Sequence, residues 1–75
     1  MTRDEALTLT KGSTLRQVVP TNVPAFDKVG AQCTFDTLYI DGDKMEMKIE
    51  ELLNAGNTSH LLPVDAFEIV NIKVY

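Results

Sequence analysis

The chain has few of the residues on which common catalytic and metal sites depend. It contains no tryptophan, one cysteine and one histidine. The single Cys33 excludes a disulfide within the chain and is typical of a reducing compartment. Cys33 and His60 could form a nucleophile and its base, but no third residue is indicated to orient the base. We therefore expect Cys33 to be a core residue and His60 a strand residue. We expect no catalytic site, no metal site and no cofactor.

Long apolar runs and clusters of basic residues are also lacking. No run approaches the roughly 20 apolar residues of a membrane-spanning helix, and the polar first five residues do not resemble a signal peptide. We therefore expect a cytoplasmic protein without membrane contact. Residues 1–30 carry four basic and three acidic groups, whereas residues 31–75 carry three basic and eight acidic groups. The acidic second half argues against binding to a phosphate backbone.

The composition is that of a folded domain. The 75 residues are 44% hydrophobic and 24% charged, and the net charge is −4. These proportions are typical of a globular protein rather than a disordered one. A chain of this length forms one small domain over residues 1–75 and has little room for a deep active site.

Residues 31–49 predict two strands joined by a tight turn at Asp41-Gly42. An Asp-Gly pair suits a hairpin whose two central residues both take positive φ. After the turn, apolar and polar residues alternate as in a strand that buries one face. The apolar residues of this series are Met45, Met47 and Ile49. Before the turn the alternation slips near Thr37, which predicts a β-bulge of the kind that small closed barrels require.

The first ten residues predict a short helix. Thr2 to Glu5 match a capping box, and Lys11-Gly12 is a helix-stop signal. The predicted helix covers residues 3–10. A strand through Leu7 and Leu9 is the alternative.

A strand and a long loop follow this helix. Residues 14–19 predict the first strand of the sheet. Pro20 and Pro24 then remove two backbone donors and restrict the residues before them, which predicts a loop. We expect Phe26 of this loop to pack back onto the core.

Residues 50–57 fit two structures. A strand that reaches about residue 51, followed by a turn or one helical turn over residues 52–57, continues the alternation of the hairpin. A helix also fits the spacing of Ile49, Leu52 and Leu53, and Ala55-Gly56 would end it. We favour the strand because of the alternation that precedes it.

The last third of the chain predicts two more strands with a tight turn between them. Residues 59–62 predict a strand, residues 63–67 a turn or one turn of 3-10 helix, and residues 68–75 the final strand. Phe67 and Ile69 are alternate residues and so share one face of the strand, and we expect them to close the core.

Ile72 and Val74 lie on the opposite face of the final strand. Another part of the protein, or another molecule, must therefore cover these two apolar side chains. One candidate is the N-terminal helix, with Leu7 and Leu9 packed over them. The other is a second copy of the chain, because an unpaired apolar edge strand is a template for pairing between molecules. This alternative predicts a homodimer whose self-association residues are Ile72, Val74 and Tyr75.

The order of these elements resembles a Src homology 3-like barrel. The segments that carry the resemblance are Lys11-Gly12, residues 14–19, Lys28-Val29-Gly30, Asp41-Gly42 and residues 62–70. The resemblance implies a mainly β fold, a small five-stranded barrel with a short N-terminal helix. Peptide-binding members of this family grip proline-rich ligands with a row of aromatic residues. That groove is not matched here, because the chain has no tryptophan and only two tyrosines.

The whole chain is also similar to the small accessory proteins that tailed bacteriophages encode. That similarity implies a stand-alone protein in the host cytoplasm that binds a host or viral protein and is not an enzyme. We therefore expect a protein-interaction module that inhibits or adapts its partner. The alternatives are a structural subunit of a larger assembly, such as a virion component, and a nucleic-acid-binding barrel, which the acidic charge disfavours.

The partner-binding residues are expected on the acidic hairpin. The stretch from Asp41 to Glu51 holds five acidic and two basic residues. Charges at the rim of an interface mainly speed association through electrostatic steering. We expect the acidic face to consist of Asp36, Asp43, Glu46 and Glu50.

Overall fold

The central hairpin forms where the apolar alternation predicts it. In the computed structural model, which describes residues 1–75, strand β2 spans Gln32–Asp41 and strand β3 spans Lys44–Ile49. The alternate residues Met45, Met47 and Ile49 are buried. One face of β3 therefore lies against the core, as expected for a half-buried strand.

The hairpin turn lies one residue later than predicted. Asp41 pairs with Lys44, so the two central residues are Gly42 and Asp43. Gly42 has a φ of 59°, whereas Asp43 is not among the residues with positive φ. A positive φ at the first central residue alone is the pattern of a type II′ hairpin turn, which favours glycine there. Asp41 therefore closes the ladder and does not enter the turn.

Strand β2 is bent, and the bend joins two halves of the sheet. The pairing of β2 with β3 shifts register between Phe35 and Thr37, which confirms the predicted bulge. Before the bulge, β2 pairs with strand β1, Thr14–Gln17. After the bulge, it pairs with β3.

Two edge strands complete an antiparallel sheet in the order β4-β3-β2-β1-β5. Strand β4 spans Leu62–Pro63, strand β5 spans Phe67–Asn71, and the predicted 3-10 turn between them spans Val64–Ala66. The mainly β fold is thus confirmed. However, no pairing joins β4 to β5, so the sheet is not a closed barrel. Strand β4 stops at Pro63, which has no N–H to donate, and the chain then turns away.

All three remaining strands are shorter than predicted. The strand predicted over residues 14–19 ends at Gln17. The N–H of the next residue, Val18, donates to the carbonyl of Ala66, which lies in the 3-10 turn and not in a strand. The strand predicted over residues 59–62 begins only where Leu62 meets Met47. The strand predicted over residues 68–75 begins one residue early and ends at Asn71.

Helix α1 spans Arg3–Ala6 and begins with the predicted capping box. The Thr2 side chain accepts from the Glu5 N–H, and the Glu5 carboxylate accepts from the Thr2 N–H. The helix is shorter than the predicted range 3–10, because Thr8 donates both its N–H and its hydroxyl to the Glu5 carbonyl. No helix of the structure has the length and apolar character needed to cross a membrane.

Helix α2 spans Glu50–Asn54, where we favoured a strand. The strand prediction is wrong for residues 50 and 51, and the helical alternative is confirmed. The reason is a tertiary contact: the Glu51 carboxylate accepts from the N–H of Thr34 at 2.8 Å and from its hydroxyl at 3.0 Å. The helix ends before Gly56, which has a φ of 87° and so favours glycine.

The core lies under the bent sheet and the short helices. It joins residues from every helix and strand and from the 3-10 turn, and Phe67 of β5 is among its fully buried members. Phe26 packs on Phe67, with the ring centroids 6.2 Å apart. This contact confirms that the long loop folds back onto the core. Cys33 is also a core residue, as predicted.

Candidate functional site

A cavity of about 270 Å³ opens where the hairpin meets the 3-10 turn. We call it the acidic cavity, because its lining includes three carboxylates and one ammonium group. The residues that line it are Asp43, Lys44, Met45, Glu46, Pro63 and Asp65.

Three elements bring the carboxylates together. The two-residue hairpin turn carries Asp43, the solvent-facing side of β3 carries Glu46, and the 3-10 turn carries Asp65. The pairing of Glu46 with Pro63 fixes the distance between β3 and the 3-10 turn. The backbone that carries each carboxylate is therefore held in place, either by a tight turn or by the hydrogen bonds between paired strands.

These carboxylates are free to accept hydrogen bonds. The two ion pairs of the structure, Lys11 with Asp36 and Arg16 with Glu68, lie elsewhere. No side-chain hydrogen bond engages Asp43, Glu46 or Asp65. With Lys44 as the one basic residue, the lining carries a formal charge of −2. A concave surface lined by one sign of charge focuses its field on an incoming ligand.

The structure brings together two of the four predicted partner-binding residues. Asp43 and Glu46 line the same cavity, while Asp36 and Glu50 do not. Asp36 sits at the bulge of β2, where it pairs with Lys11 at 3.5 Å, and Glu50 begins helix α2. The four residues predicted to form one acidic face therefore do not lie at one site.

Asp65 is the cavity residue that the sequence does not reveal. It lies in the tight turn predicted over residues 63–67, and it is separated from Glu46 by 19 positions in the sequence. Only the pairing of β4 with β3 brings the two carboxylates to one cavity. A two-residue strand ending in proline carries almost no sequence signal of its partner.

Basic residues limit the acidic surface to the turn end of the hairpin. On the solvent-facing side of β3, Glu46 stands between Lys44 and Lys48, because alternate residues share a face. The Lys48 ammonium lies over the Tyr39 ring, 5.2 Å from its centroid. The negative charge is therefore concentrated at the cavity and does not extend along the strand.

The predicted self-association residues lie in an exposed C-terminal segment. Ile72 is 36% exposed, Val74 89% and Tyr75 81%. The prediction that Leu7 covers Val74 is wrong, because Leu7 is itself 57% exposed and α1 ends at Ala6. Leu9 is partly buried, and it packs against the core.

The backbone of this segment is nevertheless held to the rest of the chain. The Lys73 N–H donates to the Ser13 hydroxyl at 3.1 Å, and the Thr10 hydroxyl donates to the Lys73 carbonyl at 2.5 Å. The Tyr75 hydroxyl donates to the Lys11 carbonyl. The segment is thus ordered by polar bonds while its apolar side chains face water.

The cysteine and the histidine are not brought together. Cys33 is buried in the core, and burial, with a smaller effect of the Glu51 carboxylate, raises the pKa of its thiol to about 12. His60 is exposed in the loop before β4, and the prediction that it lies in a strand is wrong. A thiol this hard to ionise is a poor nucleophile near neutral pH.

Comparison with known proteins does not assign the chain to a family, since no protein-family model, curated protein or solved structure matches it. The likeness to a Src homology 3-like barrel and to bacteriophage accessory proteins therefore stays a prediction. The surface has two features that could meet a partner, the acidic cavity and the exposed C-terminal segment.

Proposed function

We propose that this protein is a non-enzymatic interaction module that binds another protein through the acidic cavity. The observation that carries the proposal is the set of three carboxylates that share one cavity and make no bond within the chain. Carboxylates that stabilise a fold are usually capped, paired or hydrogen-bonded, as Glu5, Asp27 and Glu51 are here.

The size of the cavity favours a side chain over a whole small molecule. Its volume of about 270 Å³ is below the roughly 300–1,000 Å³ of typical small-molecule sites. Its walls combine carboxylates with the apolar surfaces of Met45 and Pro63. A lysine or arginine side chain has the matching chemistry, a cationic head on an apolar stem. We infer that one basic side chain of the partner is the anchor.

The charge arrangement supports a steering role as well. The second half of the chain carries the negative charge, and the cavity lies within it. Long-range attraction raises the association rate of an oppositely charged partner, and salt screens it. The module would then inhibit or adapt its partner by covering a basic surface.

We also propose the finer fold assignment, a Src homology 3-like arrangement. Four consecutive strands pair in series, a 3-10 turn precedes β5, and β5 returns to pair with β1. The bulge in β2 bends the sheet as such a barrel requires. We propose small bacteriophage accessory proteins as the class of stand-alone module to which this chain belongs.

Selection from a random peptide library tests the proposal. We expect peptides enriched in lysine and arginine. We expect their binding to be lost in the double variant Asp43→Asn/Glu46→Gln, because both cavity charges are removed. The matched control is Asp4→Asn/Glu50→Gln, which removes the same two kinds of charge outside the cavity. Peptides without basic residues, or equal losses in the two variants, would contradict the proposal.

A second candidate function, a structural subunit of a larger assembly, is favoured by the exposed C-terminal segment. Isolated exposed apolar residues are common, but here Ile72, Val74 and Tyr75 occur within four positions. Sedimentation of the intact chain over a concentration series tests this candidate. Self-association that is abolished by Ile72→Lys/Val74→Lys would support it. A monomer at every concentration would exclude it.

A further inference from the structure

The loop between β1 and β2, residues 18–31, is joined to the sheet by one buried amide. Gln17 is 1% exposed. Its Nε2 donates to the Val19 carbonyl at 2.9 Å and to the Asp27 carboxylate at 2.8 Å, and its Oε1 accepts from the Lys28 N–H at 2.8 Å. Loss of any partner would leave a buried polar group unsatisfied, which is costly.

The Asp27 carboxylate connects this amide to Thr21, near the beginning of the loop. The oxygen that accepts from Gln17 also accepts from the Thr21 N–H at 3.1 Å. The Thr21 bond, followed by the Gln17 bond, holds the pKa of Asp27 below its ordinary value of 3.8. The Thr21 hydroxyl in turn donates to the Phe26 carbonyl at 3.0 Å.

No other charged group competes for Asp27. From β1 it faces the neutral Gln17 amide, and from the loop it faces the backbone N–H groups of Thr21 and Asn22. Neither ion pair of the structure involves it. The neighbouring Lys28 contributes its backbone N–H to Gln17 and forms no ion pair with Asp27.

The loop covers part of the core. Phe26 is half-buried and stacks on Phe67, which is fully buried, and Val23 also packs against the core. Moving the loop away would expose Phe67. The network around Asp27 therefore controls whether an apolar surface is covered.

We propose that residues 18–31 form a pH-sensitive lid over the core, which the Asp27 carboxylate holds closed and which opens when that carboxylate is protonated. Protonation removes the negative charge that the Gln17 amide and the Thr21 N–H stabilise, and it turns one carboxylate oxygen into a hydroxyl donor. The other oxygen still accepts, but the bonds from Gln17 and Thr21 lose their charge assistance and weaken. The lid separates from the core and exposes Phe67.

The direction of the pH effect follows from the direction of the pKa shift. The pKa of Asp27 is lower in the folded chain than its ordinary value of 3.8. The network therefore stabilises the closed lid fully above that ordinary value, and this stabilisation is lost as the pH falls through the folded-state pKa. The lid is closed at neutral pH and opens in acid.

A nuclear magnetic resonance titration of the full chain from neutral pH into acid tests the proposal. The reporters are the backbone amides of Thr21 and Val23 and the side-chain amide of Gln17, with the buried Leu62 amide as a core reference. We expect the three reporters to shift with one midpoint below 3.8 while Leu62 stays unchanged. The Val23 amide donates to the Thr21 hydroxyl and neither bonds to Asp27 nor adjoins it in the sequence, so its shift reports movement of the loop.

Two variants sharpen the test at neutral pH. Asp27→Asn imitates the protonated state, and we expect it to speed hydrogen exchange of the lid amides about tenfold and to abolish the titration. Asp41→Asn removes an exposed charge elsewhere and should match the wild type. The proposal is overturned if Thr21 shifts alone, or if all amides change together. Wild-type exchange in Asp27→Asn would overturn it too. If that variant does not fold, the wild-type titration decides.

Discussion

Two connections between neighbouring strands use their carboxylates in opposite ways. In the lid, residues 18–31, the carboxylate is used within the chain: Asp27 accepts from Gln17 and Thr21 and so fixes a long backbone. The β2–β3 connection needs only Gly42 and Asp43, because a two-residue turn is fixed by its own geometry. A long loop must offset the entropy of ordering many residues, whereas a tight turn does not. The carboxylates around the tight turn are therefore left free for a partner.

Because only the carboxylate of the lid is bonded within the chain, we expect the lid to contribute to stability and the acidic cavity to contribute to binding. Substitutions under or within the lid should destabilise the fold, whereas substitutions in the acidic cavity should alter association and leave the fold intact.

Removal of the aromatic ring beneath the lid should cost the most. Phe67→Ala deletes a fully buried side chain, and such changes cost about 3–5 kcal/mol. Urea unfolding followed by circular dichroism measures the loss. Val74→Ala is the control, since it removes an apolar side chain that is 89% exposed and should change stability by less than about 0.5 kcal/mol.

Removal of the buried amide should cost less but still clearly more than a change in the cavity. Gln17→Leu keeps the side chain's size but leaves the Lys28 N–H without its partner, a loss of about 1–3 kcal/mol. Glu46→Gln in the acidic cavity should stay within about 0.5 kcal/mol of the wild type. Equal losses in the two variants, measured by the same unfolding experiment, would show that the regions do not differ.

The two adjacent glutamates of α2 offer a matched pair with a smaller difference. Glu51→Ala breaks the bonds to Thr34 and should cost about 1 kcal/mol. Glu50→Ala breaks no such bond and should be closer to the wild type. If both variants have the same midpoint in urea, then the Glu51 contact does not hold α2 against β2.

Alkaline pH should affect the core through Cys33. The folded-state pKa of the Cys33 thiol, about 12, lies above its ordinary value of 9.0. The neutral thiol therefore contributes fully to the stability of the fold below pH 9.0, and this contribution is lost as the pH rises through about 12. Stability should therefore fall in that window, and Cys33→Val should reduce the fall. Modification of the thiol by a disulfide reagent at pH 8 should proceed only as the chain opens. Rapid labelling of the native protein would contradict the burial of Cys33.

Local patterns predicted much of this fold. The capping box of Thr2, the bulge near Thr37, the 3-10 turn and the covering role of Phe26 all follow from signals within a few residues. The turn centre was misplaced by one residue, because Asp41-Gly42 and Gly42-Asp43 both contain turn residues. Choosing between them requires the pairing of the flanking strands.

Contacts between distant residues account for what the sequence did not predict. Helix α2 depends on the bonds from Thr34 to Glu51, and the sheet stays open because β4 ends after two residues. The cavity combines Asp65 with two residues of the hairpin, and the pairing of β4 with β3 decides that combination. Alternation within one segment carries no information on such pairings.

The association rate of a selected basic peptide with two charge-reversal variants tests the central claim most directly. Glu46→Lys and Glu50→Lys change the net charge equally, but only Glu46 lines the acidic cavity. We predict that Glu46→Lys slows association several-fold at low salt, that Glu50→Lys has little effect, and that added salt removes the difference. Equal rates for the two variants, whether slowed or unchanged, would show that the cavity is not the partner site.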